Sequence, residues 1–534
     1  MKRYFFLLIV FCSLHAMAQK PAKNYLIQLG GSNGSSWTKT PGANDSIVDL
    51  TVAGQTLTAW LANRTSWTTG DQVWIAAGTY SFTSYYNIGS APSLATSFPS
   101  AIYGGFAGTE TTLADRAKGT SVWDYTHETI LNGATSTNGI FGAGGDRTMV
   151  VDGLTFSSCP SATANPNGEA GKGQALYQRP NMSVQNCKFL NNGCVALRYY
   201  VSTTLPNPSK SASTLNCYFA NNTNTVSGGA EGGSIMANNS SAGGTYTIMG
   251  CVFDSNSSTA SGSGASAGIK AQGTGNTEIN KCIFKNNNAT AGNSSAVSLT
   301  SATCTLKNSL IYGTSVATNK VAVYVSAGNV INCTVVNNLG GGAYLSNATT
   351  STINLTNNVF WGEDAKSGQV SAVANCLGTI TNCAYNSLST NFTGTVTNTV
   401  DITTTTTGLF TDPTNNLWTL ATGSVLVDMG TATGAPVTDL SGVTRPQGSG
   451  VDIGAYEYLL SANNPIVYEK PLFRQSGNRL TALLDGAVSI YDTTGRLHKT
   501  RTMQAGEELM LPAGIYVVQL SNSTNRFSQK ILVK

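Results

Sequence analysis

Three charged side chains, Glu169, Lys172 and Glu231, fall where the chain has surplus residues, and their types suit bond-breaking chemistry. Two carboxylates about 5–10 Å apart can hydrolyse a glycosidic bond, one as acid and the other as nucleophile or base. A Lys or Arg can instead take the proton beside a uronic carboxylate and start an elimination, commonly with Ca2+ neutralising that carboxylate. Asp152, Arg179, Arg198, Asp254 and Lys270 lie near them in sequence or in repeat position. Tyr177, Tyr199 and Tyr200 add flat rings of the kind that stack on sugars. Glu169, Lys172 and Glu231 are therefore the catalytic candidates, and Tyr177, Arg179, Arg198, Tyr199 and Tyr200 the binding candidates.

Other chemistries are poorly provided for. The histidines are His15, His127 and His498, and one in the body of the chain cannot make a multi-histidine zinc site. His127 reads as part of a structured loop. No phosphate-binding or dinucleotide motif is present, and the glycine clusters at Gly104, Gly144 and Gly228 read as turns. A net charge of +4 gives no reason to invoke nucleic acid. No metal or cofactor is expected, except Ca2+ if the chemistry is a lyase's.

These residues need a scaffold, and the sequence repeats one. Val184-Gln-Asn-Cys-Lys-Phe-Leu-Asn-Asn192 recurs as Leu215–Asn222, Ile248–Asn256 and Ile279–Asn287. Weaker copies follow at Leu306–Ile311, Val330–Asn338, Leu355–Phe360 and Ile380–Cys383, and an earlier one lies at Val151–Phe156. Apolar or small residues alternate with period two inside each copy, which is a strand. A second short strand separates the copies, as at Cys194–Arg198 or Val321–Val325. The Asn-Asn pairs suit tight corners, because Asn tolerates left-handed φ.

Equivalent positions run Gly153, Cys187, Cys217, Cys251, Cys282, Ser309, Cys333, Asn358 and Cys383, at intervals of 24 to 34 residues. Leucine-rich repeats share this period but need a leucine consensus that is missing, and propeller blades need about 40 residues or more. A parallel β-helix remains. The longest intervals come first, with surplus residues at about 160–172, 222–232 and 256–266, successive loops at one corner that could wall a groove.

That register also bears on the cysteines. Equivalent side chains on adjacent rungs sit about 4.8 Å apart and point the same way, whereas a disulfide prefers Cβ atoms about 3.8 Å apart. Stacked free thiols are expected rather than bridges. Cys159, Cys194, Cys304 and Cys376 fall off this ladder.

Only 10% of residues are charged, against about 25% in average globular chains. Ser, Thr, Asn and Gly fill the difference. Lys2 and Arg3, an apolar run from Tyr4 to Leu14 and Ala16-Met17-Ala18 read as a signal peptide cleaved before Gln19. That run is too short to span about 30 Å of hydrocarbon, and no transmembrane segment is expected. Leu57–Ala62 suits a short helix plugging the first end, and Gly70–Tyr80 a first strand and turn.

Gly104-Gly-Phe-Ala-Gly-Thr-Glu110, Arg116 and Thr129-Ile-Leu-Asn-Gly133 resemble secreted bacterial proteins of the pectin-lyase-like superfamily and chlamydial polymorphic outer membrane proteins. Asp439-Leu-Ser-Gly, Arg445 and Val451-Asp-Ile-Gly-Ala-Tyr-Glu457 resemble the closing segment called the choice-of-anchor Q domain. Val488–Leu497, Leu511–Leu520 and Gln529–Lys534 resemble the C-terminal sorting domain of the Bacteroidetes type IX secretion system. The resemblance implies a right-handed parallel β-helix, export through the periplasm to the outer-membrane surface or medium, and engagement with the type IX machinery. It implies little chemistry, and the signatures of the well-studied pectinases are absent.

The expected organisation is a signal peptide (1–18), an N-terminal cap and first rungs (19–145), β-helix repeats (146–400), last rungs and closing segment (401–458), a linker (459–470) and a sorting β-sandwich (471–534). The favoured reading is an exported protein that binds polysaccharide or cell-surface glycan, or acts as an adhesin. The alternative is a polysaccharide lyase or glycoside hydrolase acting on acidic plant or algal polysaccharide. A structural surface-layer role is a third possibility.

Overall fold

The computed structural model describes residues 22–459 and 473–533, without 30–35, 39–40, 52–54, 65–66, 89–97, 137–138, 144–147, 161–173, 202–209, 226–231, 261–264, 317–320, 348, 351, 363–366, 406–407, 477, 484, 493–495 and 522–525. The leader read at 1–18 and nearly all of the linker read at 459–470 lie outside the described residues.

The chain is almost all β, in long parallel sheets compatible with a parallel β-helix. One rung shows the plan. Met182–Gln185 lies on a first face, Lys188–Leu190 on a second and Val195–Val201 on a third. Each pairs in parallel with its equivalent on the next rung, Ser211–Leu215, Tyr218–Ala220 and Ile235–Asn239. The second face alone is a sheet of 12 strands. Ser294–Lys307 and Val321–Ile331 run unbroken from the third face into the first.

Single left-handed residues make the corners. Between the first and second faces they are Gly153, Asn186, Asn216, Gly250, Lys281, Asn308, Asn332, Asn357 and Asn382. Gly153 is thus a corner residue, and Leu154, not Gly153, stands where later rungs have Cys187 and its equivalents. After the second face they are Ser158, Asn191, Asn221, Ser255, Asn286, Gly313 and Asn337. Asn and Gly dominate because they tolerate this conformation best.

The interior is built of ladders. Phe156, Phe189, Phe219, Phe253 and Phe284 stack with centroids 4.6–4.9 Å apart. Burying each contributes about 1.5–3 kcal/mol. Asn192, Asn222, Asn256 and Asn287 form a buried amide ladder, each Nδ2 donating to the next Oδ1 at 2.8–3.0 Å. Each Nδ2 also donates to the phenylalanine carbonyl of the rung before. The ten cysteines of the described residues are all buried and free.

At the first end, Leu57–Ala62 is a helix whose Leu57, Trp60 and Leu61 enter the core. Thr56 Oγ1 caps it by accepting from Ala59 N at 3.1 Å. The strand read as the first, Gln72–Ala76, is preceded by Asn24–Gln28 and Asp45–Asp49. Asn24–Gln28 sits between the other two and pairs with both. It carries none of the repeat's punctuation, so periodicity passed over it.

Two segments cover the outside. Residues 107–128 lie against the corner at Gly104 and Gly153. Here Arg116 NH1 donates to Gly104 O (2.9 Å) and meets Asp152 Oδ1 (3.1 Å), and Tyr125 OH donates to the same carboxylate (3.0 Å). A Cβ on Gly104 would lie 2.5 Å from Gly153 O, so the two glycines permit the approach. Glu110 accepts from the backbone N–H groups of Ala107, Gly108 and Thr109. Parallel pairing ends at Val400–Asp401, and residues 402–453 pack Ile402, Phe410, Trp418, Leu426 and Ile453 onto the second face at Leu310, Val336 and Val359.

Residues 473–533 form a three-stranded and a four-stranded antiparallel sheet with a core of their own, including Phe473, Leu480, Ile490 and Val518.

Candidate functional site

Glu169, Lys172 and Glu231 lie outside the described residues, as do most of the loops meant to wall the groove. The binding candidates are described and fall on the third face. Tyr177 pairs with Arg198, and the same outward line continues through Met236, Lys270, Ser298, Tyr324 and Tyr344.

Tyr199 faces inward. It is fully buried, its ring 4.0 Å from that of Tyr246, whose hydroxyl bonds Thr214 and Gln178. Neighbouring residues on a strand face opposite sides, so Tyr199 and Tyr200 could not both meet one ligand, and the alternation of the repeat assigns Tyr199 to the core. Arg179 donates to Tyr200 O at 3.1 Å and lies 5.8 and 5.7 Å from the ring centroids of Tyr177 and Tyr200. Tyr177, Arg198, Lys270, Ser298 and Tyr324 are each at most 6% exposed. This line is therefore covered as far as Tyr324, while Tyr344 and Tyr200 keep partial exposure.

Asp152 is buried and engaged structurally. Besides Arg116 and Tyr125, it accepts from Gln185 Nε2 (2.9 Å) and Asn186 Nδ2 (3.2 Å). His127 is a partly exposed loop residue. Among the described residues no three His, Cys, Asp or Glu side chains gather as a metal site requires.

The second face carries an arrangement that sequence reading missed. Trp123, at the tip of the first covering segment, stacks on Tyr218 with centroids 5.7 Å apart and planes 7° from parallel. Tyr218 OH donates to Asp254 Oδ2 at 3.0 Å, and Lys285 Nζ lies 3.5 Å from that oxygen. Lys188 Nζ meets Glu128 (2.7 Å) and Asp124 (3.5 Å). All six side chains beside Trp123 are at least partly exposed. Tyr218, Lys188, Asp254 and Lys285 hold repeat positions, but Trp123 does not, and no spacing rule brings it there.

The first face presents a polar line: Ser183, Ser213, Thr247, Glu278, Thr305, Asn329, Asn354 and Thr379, each in register with the next. All are partly exposed. Hydroxyls and amides bond along it, as Asn354 Nδ2 to Asn329 Oδ1 (3.0 Å) and Thr379 Oγ1 to Asn354 Oδ1 (2.6 Å).

Compared with known proteins, the chain matches no family model, no curated protein and no solved structure. Among the described residues no helix is long and apolar enough to cross a membrane.

Proposed function

We propose that this protein is an exported right-handed parallel β-helix that binds polysaccharide as a surface adhesin. The observation that carries this reading is the first-face line from Ser183 to Thr379, an in-register array of hydroxyl and amide groups, interrupted by the Glu278 carboxylate, that repeats about every 4.8 Å. A polymer of hydroxylated rings can exchange hydrogen bonds with such an array along its length, each contact weak and many in parallel. The two antiparallel sheets of residues 473–533 are read as a β-sandwich that addresses the chain to the type IX machinery, after a leader at 1–18 has taken it to the periplasm.

The test is to run the full chain through gels containing plant, algal or bacterial polysaccharides, while assaying the same mixtures for reducing ends and for the ultraviolet absorbance of unsaturated sugars. Retardation by at least one polysaccharide, without product, is the expected result. Reducing ends alone would favour a hydrolase and unsaturated product a lyase. No retardation and no product would overturn the reading.

A further inference from the structure

The two covering segments meet the second face at different rungs. The first lays Trp123 on Tyr218, and Ile283, two rungs on, packs against the apolar cluster that Leu310 shares with the second segment's side chains. Between them the second face presents Tyr218 and Ile283, both partly exposed, with Val252 buried between them, and the corner presents Asn216, Gly250 and Lys281, also partly exposed. Two rung steps make this saddle about 10 Å wide. On its first-face edge, Met249 is 36% exposed.

Lys281 is the unusual residue here. Its φ is 53°, in the corner series where every other position from Gly153 to Asn382 is Gly or Asn. A lysine gains nothing locally from the left-handed region, and backbone strain of this kind concentrates where function needs it. The neighbouring charges are matched: Lys188 by Glu128 and Asp124, Lys285 by Asp254, and Lys307 by Glu278 at 2.8 Å. Among the described residues, Lys281 forms no ion pair of this kind.

We propose that the saddle is a subsite for a single sugar ring bearing an anionic group, with Lys281 taking the anion, Trp123 meeting the ring, and Asp254 and Asn216 meeting hydroxyls. This rests on the polysaccharide-binding reading and adds to it a place and a ligand charge. An aromatic edge flanked by both donors and acceptors suits a polyol, and the unmatched ammonium selects a carboxylate or sulfate ester.

Affinity electrophoresis of the full chain in alginate (carboxylate), carrageenan (sulfate) and neutral glucan gels tests it, with K281N, W123A and the distant control K499N. The expected result is that K281N binds the anionic gels about tenfold more weakly, leaves neutral binding unchanged, and unfolds at the same temperature as wild type or higher, because Asn relieves the strain. W123A weakens binding in every gel that retards wild type, and K499N changes nothing. The alginate and carrageenan arms identify which anion is taken. If wild type is retarded by an anionic gel and K281N equally so, the subsite is wrong while the polysaccharide reading stands. If no gel retards wild type, both fall.

Discussion

The sulfur of Cys251 lies 3.4 Å from the backbone nitrogen of Cys217, one rung earlier, and accepts its N–H. Ser309 Oγ does the same for Cys282 N (3.2 Å) and Asn358 Oδ1 for Cys333 N (2.9 Å). The ladder position thus requires a small side chain with an acceptor, which explains why Cys, Ser and Asn interchange there. Cys251→Ala would leave a buried N–H unpaired, at a cost of about 1–3 kcal/mol, whereas Cys251→Ser is expected to cost less. Denaturant midpoints of the two variants check this, and equal losses would contradict it. Burial pushes the Cys333 and Cys383 thiols up to about 12, so these sulfurs stay protonated and unreactive in the fold. The thiols facing one another without bridging were legible from the register alone. That the sulfur also serves as an acceptor was not, because the donor is a backbone group some thirty residues away.

Each covering segment carries a buried arginine. Arg116 bonds a glycine carbonyl and Asp152. Arg445 bonds Gly454 O (3.0 Å) and pairs with Glu457 (2.5 Å) inside its own segment, both charged side chains buried almost completely, and reaches the rungs through Asn308 Oδ1 (3.4 Å). The corner asparagines add to the second fastening: Asn308 donates to Thr438 O, Asn332 to Asp452 O, Asn357 to Thr431 O and Asn382 to Met429 O. Arg445→Met would strand the Glu457 carboxylate in the interior and is expected to cost about 3–5 kcal/mol, read as a loss of thermal stability. Asp452 accepts from Asp428 N and Tyr458 N, yet burial raises its carboxyl to about 6. The folded state therefore holds this proton more tightly than the unfolded chain, and stability falls as pH rises between about 4 and 6. The stability of wild type relative to Asp452→Asn should decline across that window by about 1–3 kcal/mol and level off above it; a flat difference would contradict this. Sequence reading singled out Arg116, Asp439, Arg445 and Glu457 by resemblance; Arg116 and Arg445 reach groups on the rungs, whereas Asp439 and Glu457 brace the closing segment internally. The landing of Trp123 on Tyr218 was not legible, since it joins a non-repeating loop to a rung nearly a hundred residues away.

Over the whole chain, the repeat period alone yields the stacked rungs, because each rung buries its ladder only against its neighbours. What the period cannot supply is anything that does not repeat: the strand Asn24–Gln28, the covering segments and the saddle between them. The core of 473–533 shares no residue with that of the rungs, so calorimetry of the full chain should resolve two transitions, the smaller surviving in an isolated 473–533 fragment. A single transition lost on truncation would contradict this. The second covering segment has one further consequence, a mechanical one. A pull applied at residue 458 does not peel away the last rung at Val400–Asp401. It loads the asparagines at 308, 332, 357 and 382 together, with Arg445 bonding the first of them, so tension arriving from the C-terminal side is shared in shear across four rungs. A tether held at that side would grip the rod along its flank and spare its tip.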